Sequence, residues 1–168
     1  TRAEGIGEVY RSGQFFHYFA GEVHRQIDDR AESVRPGVEI DTRREPVGVV
    51  AIISPWNFPM ATAVWKIAPA LAFGNAVIFK PANLVPASAW ALTEIISRQE
   101  ALPPGTVNLV MGSGGSVGNT IINSDKIHAV SFTGSLPVGR EVAKATAANL
   151  VKCQLEMGSK NALIVAAD

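Results

Sequence analysis

The chain has 168 residues, 47% of them hydrophobic and 18% charged, which is enough apolar material for a sizeable core and fewer charges than an ordinary soluble domain carries. Fifteen basic and fifteen acidic side chains cancel to a formal charge of zero, so there is no electrostatic footprint for nucleic acid or for an anionic membrane surface. A single cysteine argues against a disulfide framework, and no apolar run reaches the length of a membrane span or a secretory h-region, so the cytoplasm is the expected compartment.

In residues 8–27, Val9, Phe15, Phe16, Phe19 and Val23 fall on roughly one face, with Arg11, Gln14 and Glu22 elsewhere, which predicts an amphipathic helix with an aromatic core side. His17 and His24 have no Cys, Asp or Glu set at ligand spacing beside them, and no metal is expected. Residues 33–44, with Pro36 and Gly37 ahead of alternating Val38, Ile40 and Thr42, predict a short pair of extended segments.

Pro46 and Gly48 open an apolar, β-branched run over residues 49–53 that reads as a buried strand. Ser54, Pro55, Trp56 and Asn57 break it, and Pro59 starts a helix through Ala63, Lys66, Ala70 and Phe73 that Gly74 and Asn75 stop. A second strand, residues 76–79, is closed by Lys80 and Pro81, which completes one βαβ unit whose loops after the strands should hold a ligand. The first turn carries Trp56 and Asn57 where a dinucleotide fold usually has glycines. The Asn57 amide suits a developing oxyanion; on spacing alone, a turn asparagine bonding its own backbone is the favoured reading.

Residues 86–97 predict a second helix with Ala89, Leu92, Ile95 and Ile96 inward, and residues 107–111 a third strand. Gly112, Gly114, Gly115 and Gly118 follow, with the third glycine one place late for the dinucleotide fingerprint, so they read either as a cofactor loop or as a flexible lead into a helix over 117–123. A fourth strand over 127–132 runs into Thr133, Gly134 and Ser135 before a helix that Pro137 can start. Free N–H groups there, beside two hydroxyls, can hold a pyrophosphate; a purely structural Ser cap is the other reading.

In the last segment, residues 151–165, Cys153 reads as a small core or pocket residue, because Lys152 next to it in a strand would face the other way. Glu156, between Leu155 and Met157, is a candidate general base if burial raises its pKa, or else a solvated strand-end glutamate. The pattern predicts an α/β fold with a doubly wound, mainly parallel sheet, with residues 1–45 as helix and extended arm and 46–168 as a dinucleotide-binding domain. The chain starts with Thr1 and ends at Asp168 straight after an apolar run, and it reads as a piece of a longer protein.

ISPWNFP, WKIAPALAFGNAVIFKPA, LPPGTVNLVMGSG, SFTGSLPVGR and QLEMGSKNALIV resemble the aldehyde dehydrogenase superfamily, in family order from Arg44 onward, and the opening TRAEGIGEVY resembles a family helix. KPANLVPASAWALTEIISR and VKCQLEMGSKN are most similar to the branch that oxidises 2-oxoglutarate semialdehyde, with succinate-semialdehyde enzymes next. The resemblance implies a Rossmann-like cofactor-binding domain without the catalytic domain, and a reaction in which a cysteine thiolate attacks the aldehyde, hydride passes to nicotinamide and the thioester is hydrolysed. Asn57 matches the family's oxyanion amide, Glu156 its general base, and Lys66 a lysine near the catalytic end of the first helix. The nucleophile would lie past Asp168, so this chain alone should not turn over.

For the cofactor, NAD or NADP, the resemblance places Ile53, Ser54 and Trp56 beside the nicotinamide half, Lys80 on the adenosine ribose with Ala82 and Asn83 next to it, and Gly114 toward the adenine. Gly134 and Ser135 match the pyrophosphate loop, and Gly139 and Met157 complete the set. Residues 33–44 would be an arm for homo-oligomer contacts. Asn83 stands where many relatives have Glu, so NADP should at least be tolerated, and Ser159 stands where glycine is usual, which should alter the turn after Glu156. The competing reading is a non-catalytic nucleotide-binding or scaffold protein of the same fold. A redox module acting through Cys153 ranks below both.

Overall fold

The computed structural model, which describes residues 1–26, 28–158 and 162–166, begins with helix α1 (Arg2–Glu22) and the strands β1 (Asp29–Glu32) and β2 (Glu39–Thr42). There follow β3 (Val49–Ile53), α2 (Ala61–Ala72), β4 (Ala76–Lys80), α3 (Pro86–Ser97), β5 (Val107–Leu109), α4 (Asn119–Ile122), β6 (Ala129–Gly134), α5 (Leu136–Ala148) and β7 (Lys152–Met157). The strands from β3 onward form one parallel sheet in the order β5-β4-β3-β6-β7. The chain therefore steps outward from β3, then returns to its other side, which makes the gap beyond the C-terminal ends of β3 and β6 a topological switch point.

Strand alternation divides the core between the two faces of the sheet. Val50, Ile52, Val77 and Phe79 meet Val64, Ile67, Leu92 and Ile96 of α2 and α3, with Phe15, Phe16 and Phe19 of α1 packed on the outside. Ala51, Val130 and Phe132 meet Ile121, Ile122 and Val142 on the other side. Full burial of a side chain such as Ile52 or Phe79 contributes about 1.5–3 kcal/mol, so the β3–α2–β4 unit is the most heavily stabilised part of the sheet.

Pro59, expected to start α2, lies in the turn before it, and α2 begins at Ala61; the punctuation at its other end works as the sequence implies. Gly74, at φ +77°, lets the chain leave α2 in the left-handed region, and Asn75 then clasps two elements at once. Its Oδ1 accepts from Val47 N at 2.8 Å and Gly48 N at 3.1 Å, while its Nδ2 donates to Ala70 O at 3.1 Å. The end of α2 and the entrance to β3 are thereby tied together.

Several boundaries and faces differ from expectation. α1 starts at Arg2, where Thr1 forms a capping box with Glu4, and it ends at Glu22 in a single 3₁₀ turn, Val23–Arg25. Val9 is 54% exposed, because the inward stripe runs through Ser12, Phe15, Phe16 and Phe19 instead. Ile95 is 58% exposed, since Ala89, Leu92 and Ile96 already fill the contact of α3 with the sheet. β5 stops at Leu109, and β6 runs two residues later than expected, from Ala129 to Gly134. Gly114–Gly118 is a π-helical turn feeding α4, with Ser113 Oγ accepting from Ser116 N at 3.1 Å. Among the described residues the sheet ends at Met157, and Leu163, Ile164 and Val165 are exposed outside it. β1 and β2 pair antiparallel, Asp29 opposite Thr42, and both are exposed throughout. Among the described residues no helix is long and apolar enough to cross a membrane, and no group of three metal-ligating side chains exists.

Candidate functional site

Strand register brings the expected cofactor residues to one edge of the sheet. Ile53 stands opposite both Lys80 and Phe132, and Gly134 opposite Met157. Ser54 follows directly, its N–H donating to Lys80 O at 3.2 Å. Its hydroxyl is buried and has no hydrogen-bond partner among the described residues. Such an orphan costs about 1–3 kcal/mol unless something else completes it.

Lys80 is only 5% exposed, and its ammonium donates to Pro81 O at 3.1 Å; burial pushes its pKa below the usual lysine range. Its side chain runs against Gly118 of the π-helical turn, so the glycine-rich segment and the end of β4 form one surface. Ala82 and Asn83 line a cavity of about 170 Å³ with Met111 and Gly112, between the ends of β4 and β5.

Gly134 and Gly139 are required by close packing. A Cβ on Gly134 would come within 2.6 Å of Phe132 Cζ, and one on Gly139 would collide with Met157 Sδ, so α5 can approach β7 only without a side chain there. Ser135 is the N-cap of α5 but makes no side-chain capping bond, which leaves its exposed hydroxyl and the first N–H groups of a 13-residue helix uncommitted. That arrangement favours an anion. The orphaned Ser54 hydroxyl, the buried Lys80 ammonium and the two tightly packed glycines fit a dinucleotide lying along this edge.

A second cluster lies on the α2 side. Lys66 Nζ, buried with its residue 5% exposed, stands 3.4 Å from Glu156 Oε2 as an ion pair, and it makes no hydrogen bond among the described residues. Burial drives the Lys66 pKa down, and Glu156 partly offsets that shift. Thr133 Oγ1 donates to the same carboxylate oxygen at 3.0 Å, Gln154 Nε2 donates to Oε1 at 3.3 Å, and Ser131 Oγ donates to Gln154 Oε1 at 2.7 Å. The expectation that the Thr133 hydroxyl stands beside the pyrophosphate loop is corrected: parallel register sets Thr133 against Glu156, and the hydroxyl is spent there. Cys153 is exposed, and of the two positions the sequence left open, core or pocket, it takes the pocket: it lines a cavity of about 1210 Å³ together with Lys66, Lys152 and Glu156.

Asn57 lies in an exposed turn, beside Glu8, Arg11, Phe58 and Ala61 in a different cavity from Glu156, and Trp56 next to it is 61% exposed. What holds this turn is Glu8, which sequence reasoning passed over. Its Oε1 accepts from Met60 N at 2.7 Å and Ala61 N at 3.1 Å, capping α2, which has no side-chain cap of its own. Nothing local could reveal a cap supplied from 52 residues away; the only signal is an acidic residue shortly before an aromatic face.

A parallel sheet in this order, with a phosphate-compatible helix start at its switch point, defines a dinucleotide-binding α/β domain. The model of the aldehyde dehydrogenase family matches residues 1–168, and the chain belongs to that family. It is 43% identical over 167 residues to a 2,5-dioxopentanoate dehydrogenase of Saccharolobus solfataricus, covering 98% of this chain and 35% of that protein. It is 44% identical over 170 residues to an alpha-ketoglutaric semialdehyde dehydrogenase of Bacillus subtilis, covering 100% of this chain and 34% of that one. Betaine aldehyde dehydrogenase of Staphylococcus aureus, solved in complex with NAD+, superposes with a TM-score of 0.92 at 36% identity over 96% of this chain and 32% of that structure. The chain thus spans about a third of the length of the relatives it matches.

Proposed function

We propose that the protein carrying this chain oxidises an aldehyde to a carboxylic acid with NAD or NADP, and that its substrate is a semialdehyde such as 2-oxoglutarate semialdehyde. The carrying observation is the Glu156 carboxylate, held by Thr133 and Gln154 and paired with the buried Lys66 at the end of a dinucleotide-binding sheet. A bound nicotinamide would supply the hydride acceptor. Glu156 takes a proton, from the attacking thiol or from the water that hydrolyses the acyl intermediate, and Thr133, Gln154 and Lys66 hold its carboxylate in place. Asn57 donates its side-chain N–H to the developing oxyanion, and Glu8 fixes the turn that carries it. Cys153 is not the nucleophile in this reading: it lies within an edge strand, away from any helix N-terminus.

Neutral Asn83 near Lys80 leaves nothing to repel a 2′-phosphate, which supports use of both cofactors. The exposed β1–β2 hairpin is the natural arm for homo-oligomer contacts.

The test is cofactor reduction by the full-length protein with 2-oxoglutarate semialdehyde, succinate semialdehyde and betaine aldehyde, with each cofactor in turn. Asn57→Ala should lower kcat by about 10²–10³, the scale of one oxyanion donor, and Glu8→Gln should lower it less while leaving cofactor affinity unchanged. Reduction by none of the aldehydes would favour the non-catalytic scaffold instead.

A further inference from the structure

The cavity beside Asn57 and the one that contains Lys66 and Glu156 are separate, and among the described residues they share a single lining residue, Arg11. Its place on α1 is fixed from both sides. One turn earlier Glu8 clamps the start of α2 through Met60 N and Ala61 N, and one turn later Phe15 meets Trp65 of α2 edge-on at 5.8 Å between ring centroids. Arg11, Gln14, Phe15 and Tyr18 fall at helical spacing on the side of α1 that lines the larger cavity. Arg11 is solvent-exposed and, among the described residues, forms no ion pair with a carboxylate, as is also true of Arg2, Arg35, Arg44 and Arg140, none of which lines either cavity.

The larger cavity carries three cations, Arg11, Lys66 and Lys152, against the one carboxylate of Glu156, and its remaining lining is largely aromatic and aliphatic. Lys66 is held by the carboxylate it pairs with. Of the other two, only Arg11 also lines the cavity beside Asn57, which sets it at the junction between the oxyanion turn and the Glu156 cluster, with a planar fork matched to a carboxylate.

Resting on the aldehyde oxidation proposed above, we infer that Arg11 is a specificity-determining residue that binds a second, anionic group on the substrate, a carboxylate at the end distal from the aldehyde. The substrate class is then an ω-carboxylate semialdehyde, with its methylene chain lying along Phe15 and Trp65. Gln14, on the same side of α1, is placed to donate to a further oxygen near that carboxylate.

The experiment compares wild type, Arg11→Leu and Arg11→Lys in the full-length protein, using succinate semialdehyde and the neutral butanal, with thermal unfolding to establish that each variant folds. The ratio of kcat/KM for succinate semialdehyde to that for butanal should fall about 10- to 100-fold in Arg11→Leu, mostly through KM, as expected for one charge-assisted contact. Arg11→Lys should recover part of the ratio. Glutarate binding, measured by calorimetry, should be saturable in wild type and lost in Arg11→Leu. Equal loss of kcat/KM on both aldehydes, or an unchanged ratio, would overturn the assignment. If wild type oxidises neither aldehyde, the enzymatic reading falls separately, and the glutarate measurement alone decides for or against an anion site at Arg11.

Discussion

Lys66 and Lys80 are the two buried lysines among the described residues, each 5% exposed, and both belong to the same βαβ unit. Lys66 faces a carboxylate at 3.4 Å that is itself tied to Thr133 and Gln154; Lys80 faces only the carbonyl of Pro81. The difference separates two kinds of work. An ammonium beside a half-exposed carboxylate holds and orients it, whereas one beside a neutral carbonyl keeps donors for oxygen atoms that the protein does not itself supply. This contrast supports the proposal that the chemistry belongs to the Glu156 end and cofactor recognition to the Lys80 end.

The sharpest way to break that division is Glu156→Gln. Removing the carboxylate should lower kcat by about 10²–10⁴, the range of a lost general base, and the uncompensated Lys66 charge should lower stability as well. Steady-state kinetics and unfolding of the same sample check both, and near-normal turnover would end the assignment. Next in size is Asn83→Glu, which introduces a carboxylate near Lys80: the kcat/KM ratio for NAD over NADP should rise about 10- to 100-fold. A wild type that rejects NADP, or an unchanged ratio in the variant, would place cofactor choice elsewhere.

The smallest effect is on stability against pH. Burial holds both lysines below the ordinary lysine pKa of 10.5, so between each lowered pKa and 10.5 the unfolded chain binds more protons and stability rises with pH. Below that window the burial cost is fully present; above 10.5 it is gone. Lys80→Met should flatten the alkaline rise in unfolding free energy without removing the part due to Lys66, and an identical pH profile would contradict the burial of Lys80.

The fold was largely legible because β-branched runs and Pro or Gly punctuation carry their meaning locally: Val49–Ile53, Ala76–Lys80, Gly74 with Asn75, and Pro86 at the start of α3 all do what their residue types imply. The catalytic-side cluster was legible as separate residues and not as a cluster. Lys66 and Glu156 meet only once β7 is laid beside β6, and the same register takes the Thr133 hydroxyl away from the helix start where the sequence had put it. Glu8 was invisible because a cap supplied by another helix leaves no local spacing to read. Cys153 was legible as a core or pocket residue, and only the cavity that β7 shares with α2 decides for the pocket.

The division between the two lysines is tested most directly by measuring cofactor binding and turnover separately in the full-length protein, with fluorescence titration of NAD followed by kcat at saturating cofactor. Glu156→Gln should bind NAD within about 2-fold of wild type yet lose at least about 10²-fold in kcat, while Lys80→Met should weaken NAD binding about 10-fold and keep most of its kcat. Loss of NAD affinity in Glu156→Gln together with unchanged affinity in Lys80→Met would contradict the account.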